Sequence, residues 1–386
     1  MIKIINNKDL TSTEKLLEKS VREDLSKKYF NNINPKYLRK MEYITPKNHE
    51  VTCYISKKPN YQLGSMVISK VDGVSTEQYV QGMPKIKYFD EYDDFKIPKS
   101  ITEKLDGTNI LLYFLHDLVT GNVIEVLAKT RNMPILSHEF NVLFEYLSFN
   151  KDSFLYYKDT LQSVAFELYG SENLHSIHYK EDLNLRLLTA FDKSGEQVHF
   201  SMLDYLSKLL DVPLPDNLFN VNYFPASGKY IVTFTVEAKK KYGNDLTSLK
   251  SYIYQDCNSM FDVYSLISLI LEELNNKFET PIIEGVVVNT SFNGVNFQMK
   301  NKPPTIKENH TCSDGIPIKA IRKELNKFID DFGKSEALEY MKNDRCVVYA
   351  YLTNNLLEEF TQSKIDMIET QKRIVTVINN KISCNL

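Results

Sequence analysis

Tryptophan is absent from this 386-residue chain, so aromatic core and stacking positions fall to 24 Tyr and 21 Phe. No Cys-x-x-Cys spacing occurs. The five cysteines, Cys53, Cys257, Cys312, Cys346 and Cys384, are scattered and odd in number. That argues against a structural zinc site and against a disulfide framework. A reducing, intracellular (cytoplasmic) compartment is the expectation. No run of about 18 apolar residues exists, so no membrane span is expected. The first ten residues, MIKIINNKDL, lack the apolar stretch of a secretory signal. Positive charge is not in excess: the net charge is −3. A protein that coats nucleic acid indiscriminately is usually basic, so that class is disfavoured, while a local basic groove remains allowed. Among seven His, only His175 and His178 lie close together, with no further ligand nearby to suggest a metal site.

What is present reads as an ordinary globular chain, 42% apolar and 25% charged. Its length calls for two or three domains. Residues 1–95 form an N-terminal α/β extension. Thr11-Ser12-Thr13-Glu14 is a capping-box pattern before a helix reaching about Phe30. Val51–Ile55 and Ser65–Val71 read as strands. Asp72-Gly73 is a hairpin turn, the bland reading of the tetrad Lys70–Gly73. Residues 96–310 alternate strands with helices. Strands are expected at Ile110–Phe114, Val123–Ala128, Ser163–Tyr169, Leu185–Phe191, Ile282–Val288 and Val295–Lys300, the last two joined at Asn293-Gly294. Helices are expected after Ser137 and Ser201 and over Asp262–Phe278. Residues 311–386 change to helical periodicity, with Ile318, Ile321, Leu325, Phe328, Ile329 and Phe332 on one face before Gly333. The fold class is α+β, with antiparallel sheets and flanking helices, plus an all-α C-terminal domain.

Five stretches of the middle region set polar residues on otherwise apolar strands. They are KLDGTN (Lys104–Asn109), KTRN (Lys129–Asn132), FELYG (Phe166–Gly170), IEGVVV (Ile283–Val288) and FQMKNK (Phe297–Lys302). Each alone has a structural explanation. Glu167 or Glu284 can face solvent on a one-sided sheet. Lys300 and Lys302 share a face if their strand continues through Asn301, as surface lysines often do.

Together and in order, four of these stretches and TAFDK (Thr189–Lys193) resemble the motifs of the covalent nucleotidyltransferase superfamily. That superfamily comprises ATP-dependent DNA and RNA ligases and mRNA capping enzymes. KLDG is similar to motif I, FELYG to motif III, TAFDK to motif IIIa, IEGVVV to motif IV and MKNK to the Lys-x-Lys of motif V. The match covers roughly residues 100–302, and a Glu-Gly-Val-Val strand just before a Lys-x-Lys strand makes it specific. The second tetrad at Lys70 has no such pair behind it. Within the superfamily the chain most resembles phage-type RNA ligases. About a hundred residues precede the lysine, GMPKIKYFDEYDD resembles the segment upstream of motif I, and the C-terminal part is helical. No counterpart of motif VI is visible. Lysine and asparagine richness is compatible with a viral or bacterial source.

The resemblance implies a nucleotidyltransferase fold and an ATP-dependent RNA ligase. Lys104 is then the nucleophile that takes AMP from ATP, which requires its neutral amine. Nearby positive charge and burial are expected to favour that form. Glu284 is implied as the Mg²⁺ (or Mn²⁺) residue and Glu167 as the ribose-binding acid. Phe191 is implied to stack on adenine. Lys300 and Lys302 are implied to contact the α-phosphate and Arg131 another phosphate. Asp106 is implied to orient Lys104 or the motif I turn to which Gly107 belongs, and Asn109 to support the nucleotide or the end being joined. The partner is RNA with 5′-phosphate and 3′-hydroxyl ends. A DNA ligase, a guanylyltransferase or an inactive RNA-binding relative are the alternatives.

Overall fold

The computed structural model describes the chain except residues 1, 6–10, 59, 90–96, 118–119, 148, 172, 174–176, 178, 279–280, 293–294, 305, 307–317, 361–366 and 384–386. His175, His178 and the Asn293-Gly294 turn fall outside the described residues. The protein is α+β, with antiparallel sheets and helices, and divides into two compact units, Met1–Asn301 and Lys302–Leu386.

The first unit opens with strand β1 (Ile2–Ile4) and helix α1 (Ser12–Tyr29). The capping box forms as the sequence requires. Thr11 accepts from the Glu14 N–H, and the Glu14 carboxylate accepts from the Thr11 N–H at 2.8 Å. Four strands follow: β2 (Leu38–Ile44), β3 (Glu50–Ser56), β4 (Met66–Val71) and β5 (Val74–Val80). With β1 they make a five-stranded antiparallel meander. Asp72 and Gly73 take φ of 47° and 82°, the left-handed geometry of a two-residue hairpin turn. The Lys70–Gly73 tetrad is therefore a turn, with Lys70 exposed.

Two further sheets share the rest of this unit. Their elements are β6 (Lys87–Tyr88), β7 (Ser100–Glu103), β8 (Thr108–His116), β9 (Val123–Thr130), α2 (His138–Tyr146), β10 (Leu161–Tyr169), β11 (Asn184–Asp192) and α3 (Phe200–Leu210). They continue as β12 (Asn217–Phe224), β13 (Lys229–Phe234), α4 (Val236–Tyr242), α5 (Met260–Asn275), β14 (Val286–Phe292) and β15 (Val295–Asn301). One sheet has the order β11-β10-β8-β9 and the other β13-β12-β7-β14-β15-β6. All pairings are antiparallel except β15 with β6.

Alternation along the strands decides what covers each face. Ile110, Leu112 and Phe114 pack with Val164, Phe166 and Leu168 beneath α2, α3 and the turn at Lys151–Tyr157. The intervening residues Leu111, Tyr113 and Leu115 face the N-terminal meander and pack with Met41, Cys53 and Ile68. In the six-stranded sheet Ile101, Phe219, Val232 and Val286 pack against α5, whose Val263, Ile267, Ile270 and Leu274 form its buried stripe. Ser259 and Asp262 close a capping box at the start of α5.

In the second unit the described secondary structure is helical: α6 (Ile318–Phe332), α7 (Lys334–Asn343), α8 (Arg345–Phe360) and α9 (Met367–Ser383). Ile321, Leu325 and Phe328 pack with Met341, Leu352 and Ile374 in a core of their own. Among the described residues no helix is long and apolar enough to cross a membrane.

Candidate active site

Register brings the central pair together. β14 pairs with β7, Val286 opposite Glu103. The residues just outside the ladder, Lys104 and Gly285, continue it with a Lys104 N–H bond to the Gly285 carbonyl at 2.9 Å. Glu284 thereby lies beside Lys104, and Lys104 Nζ donates to Glu284 Oε2. The glutamate side chain is 3% exposed and the lysine 22%. Glu284 is not on the strand expected from Ile282 onward; it sits on an irregular lead-in. A residue that sequence reading missed holds that lead-in. The Asn275 side-chain oxygen accepts from the N–H groups of Ile282 and Ile283 at 3.0 and 3.1 Å, and its Nδ2 donates to the Ile283 carbonyl at 3.0 Å.

The KLDG turn lies against β10. Gly107 donates its N–H to Glu167 Oε1 at 3.1 Å. A Cβ at Gly107 would sit 2.2 Å from the Leu168 carbonyl oxygen, so only glycine allows this approach. Asn109 is opposite Glu167 in the ladder and donates to the Phe166 carbonyl at 3.0 Å. Tyr179, also missed, accepts from the Asp106 N–H at 2.7 Å, while Asp106 Oδ2 accepts from the Ile177 N–H at 3.2 Å. These two bonds fix the turn from its open side.

The charges on these elements act on one another. Burial pulls Lys104 toward its neutral form, but Glu284, Glu167 and Asp106 outweigh it, and the group titrates above the ordinary lysine value. This reverses the sequence expectation of a depressed value: the neighbours of Lys104 are predominantly carboxylates. Burial pushes Glu167 up to about 7 against the opposing pull of Lys104 and Arg131. Arg131, just past the end of β9, is lowered by burial and held up by Glu167. Its Nε is buried with no hydrogen-bond partner among the described residues. A buried guanidinium with an unused donor suits an anionic oxygen. Glu284→Gln is expected to move the pH at which Lys104 reacts with an acylating reagent downward, as read by peptide mass spectrometry across a pH series.

Lys129, two residues earlier on β9, is 1% exposed. Its Nζ donates to the carbonyls of Gly64 and Thr130 at 2.8 and 2.9 Å. Burial brings it from 10.5 down to about 7. A depressed value means that the stability from this group is complete above pH 10.5 and is lost as pH falls toward 7. Between pH 7 and 9 the unfolded chain alone binds that proton. The protein should therefore gain stability with rising pH relative to a Lys129→Met variant, by at most about 1.4 kcal/mol per pH unit. Paired denaturant titrations at both pH values check this.

The remaining predicted residues are distributed as follows. Lys300 is on β15 opposite Val287, with Nζ 4.3 Å from the centre of the Tyr88 ring. Burial and the Glu284 carboxylate raise the Tyr88 hydroxyl above its ordinary value, against the opposing charge of Lys104. β15 ends at Asn301, and the next residue, Lys302, is buried and opens the second unit. Phe191 is not among the charged residues. It lies on β11 opposite Ser163, four positions along β10 from Glu167, or about 13 Å at the usual strand rise. Its ring is 1% exposed and belongs to the core with Leu111 and Ala165. It also borders a cavity of about 320 Å³ lined by Tyr61, Tyr79, Gln81 and Gln197. Stacking a base on Phe191 requires that core to open.

No family model matches the sequence, and no curated protein does. Among solved structures, a Naegleria gruberi RNA ligase with pyrophosphate is similar at a TM-score of 0.33 and 12% identity, over 57% of this chain and 53% of that one. A lysine variant of that ligase with ATP and manganese is similar at a TM-score of 0.34 and 10% identity, over 71% of this chain and 94% of that one. The chain thus spans about half the length of the first of these. Similarity this distant leaves the functional reading to rest on the side chains themselves.

Among the described residues no group of three or more His, Cys, Asp or Glu is placed to hold a metal ion. Magnesium does not need one: it is commonly held by one or two carboxylates, waters and substrate phosphates. Glu284 fits that pattern as a buried carboxylate beside Lys104 and Glu167.

Proposed function

We propose that the chain is an ATP-dependent RNA ligase that works through lysyl-AMP. The observation that carries this reading is the Lys104 amine paired with the buried Glu284, set beside Glu167 and an Arg131 with an unused donor. An isolated surface salt bridge needs none of these neighbours. An enzyme that binds a nucleotide phosphate next to an amine needs all of them.

In this reading Lys104 Nζ attacks the α-phosphorus of ATP. A nitrogen–phosphorus bond forms, the α–β bridging bond breaks, and pyrophosphate leaves with the electron pair. Nζ must shed its protons for this, and Glu284 and Glu167 oppose that loss. Glu284 would hold a divalent cation, whose positive charge would favour the neutral amine and stabilise the phosphate. Glu167, with its elevated value, binds the ribose hydroxyls as donor or acceptor. Arg131 takes a phosphate oxygen through its unused Nε. Lys300 offsets charge on the α-phosphate during transfer. Asp106, Gly107 and Asn109 keep the turn in register with Glu167. AMP then passes to an RNA 5′-phosphate, and a 3′-hydroxyl displaces it to seal the strand. All three steps depend on positioning and charge stabilisation.

The test is an RNA substrate with a 5′-phosphate and a 3′-hydroxyl, incubated with ATP and Mg²⁺ and resolved on a denaturing gel. Adenylated RNA and a joined product are expected. Release of pyrophosphate with no change in RNA would reject strand joining.

A further inference from the structure

The hairpin of β12 and β13 has two halves of different character. Its first half, Phe219, Val232 and Phe234, is buried against α5. Its far half is open: Tyr223 is 41% exposed and Phe224 47%. Tyr223 faces Tyr230 across the ladder, with ring centres 4.8 Å apart at 41°.

The segment before α5 adds a third aromatic to this end. Tyr230 and Cys257 exchange N–H···O bonds of 2.9 and 3.0 Å, tying the segment to the outer edge of β13. Tyr254 donates its N–H to the Val232 carbonyl at 3.4 Å. Its φ is 69°, a left-handed conformation that a bulky side chain rarely adopts. Its ring is nonetheless 71% exposed, so core packing gives no reason for the strain. The charge here also departs from that of the whole. Residues 217–258 contain five lysines against the three acids Glu237, Asp245 and Asp256, in a chain whose net charge is −3. Lys229 precedes Tyr230, and Lys250 is exposed four residues before Tyr254.

We propose that Tyr223, Tyr230 and Tyr254, with Lys229 and Lys250, form a platform for an unpaired stretch of RNA. The identity of that strand rests on the ligase reading above. Exposed aromatic faces stack on any base, and flanking lysines answer the phosphates. A protein partner has less claim, because the patch mixes like charges with rings. The platform also has a path to the chemistry. β12 starts beside the strand that leads into Lys104, Asn217 opposite Thr102. From Asn217 to Phe224 it runs about 23 Å at the usual rise, the length of several nucleotides.

The test uses the full chain and a 5′-phosphorylated, dye-labelled single-stranded RNA, with affinity read by fluorescence anisotropy at several salt concentrations. A Tyr223→Ala/Tyr254→Gly variant should bind about ten- to a hundredfold more weakly. Its AMP attachment without RNA should stay within about twofold of the unaltered chain. Glycine at 254 relieves the strained φ, so folding is kept. A Lys229→Ala/Lys250→Ala variant should flatten the salt dependence, by about 0.7 in log–log slope for each phosphate no longer neutralised. Unchanged RNA affinity in both variants overturns the platform, as does a thermal shift that accounts for the whole loss. If the unaltered chain takes no AMP yet the tyrosine variant loses RNA affinity, the ligase reading falls and the platform stands.

Discussion

Lys104→Ala should remove nucleotide attachment altogether, a fall of at least about 10⁴-fold, because no other side chain replaces the attacking amine. The alanine variant also leaves Glu284 buried without its cation. Breaking a buried pair from one side costs about 3–5 kcal/mol, so loss of activity alone would be ambiguous. Lys104→Arg separates the effects. A guanidinium keeps a positive charge against Glu284 but does not deprotonate in proteins. The arginine variant should melt close to the unaltered chain and still carry no adduct. Attachment that survives both substitutions would exclude Lys104 as the nucleophile and turn attention to the buried Lys129.

Gly107→Ala should be nearly as severe, through geometry rather than chemistry. The added Cβ meets the Leu168 carbonyl oxygen at 2.2 Å, and the neighbouring atoms, Leu168 C and Tyr169 Cβ, are at 3.0 Å. Backbone has to move, since no flexible side chain can yield. The displaced element is the start of the β8–β10 ladder, where Gly107 donates to Glu167. Overpacking of this kind costs about 1–3 kcal/mol or more. The rate of AMP attachment should drop by at least about a hundredfold, because positioning is lost with small displacements. Thermal melting and single-turnover labelling on the same preparation check both halves. Labelling at the normal rate would mean that the turn does not depend on its seat against Leu168.

Local signals in the sequence were legible where a few neighbouring residues set them. Lys104, Glu167 and Glu284 stood out because charge interrupts apolar runs, and the structure gathers those three. Arg131 was legible from the same rule. The capping box at Thr11 and the turn at Asp72-Gly73 were also visible, because both are set by residues a few positions apart. Strands β12 and β13 were not foreseen. Phe219, Val221 and Tyr223 do alternate with Asn220 and Asn222 as a half-buried strand requires, but the run is short and the register of β12 depends on pairing with the distant β7. Asn275 and Tyr179 escaped for a related reason. Each acts through backbone groups that tertiary folding brings near, Asn275 near Ile283 and Tyr179 near Asp106. A lone Asn near the end of an apolar helix carries little local signal. The protonation of Lys104 was misjudged because spacing shows which residues are charged, but not that carboxylates outnumber cations around the amine.

The most direct measurement is intact-protein mass spectrometry after incubation with Mg²⁺ and ATP or GTP, followed by peptide mapping, on protein first freed of any nucleotide already attached. An AMP adduct on Lys104, and no GMP adduct, is the predicted result. No adduct with either nucleotide would contradict covalent ligase chemistry, whatever the arrangement of charge around Lys104.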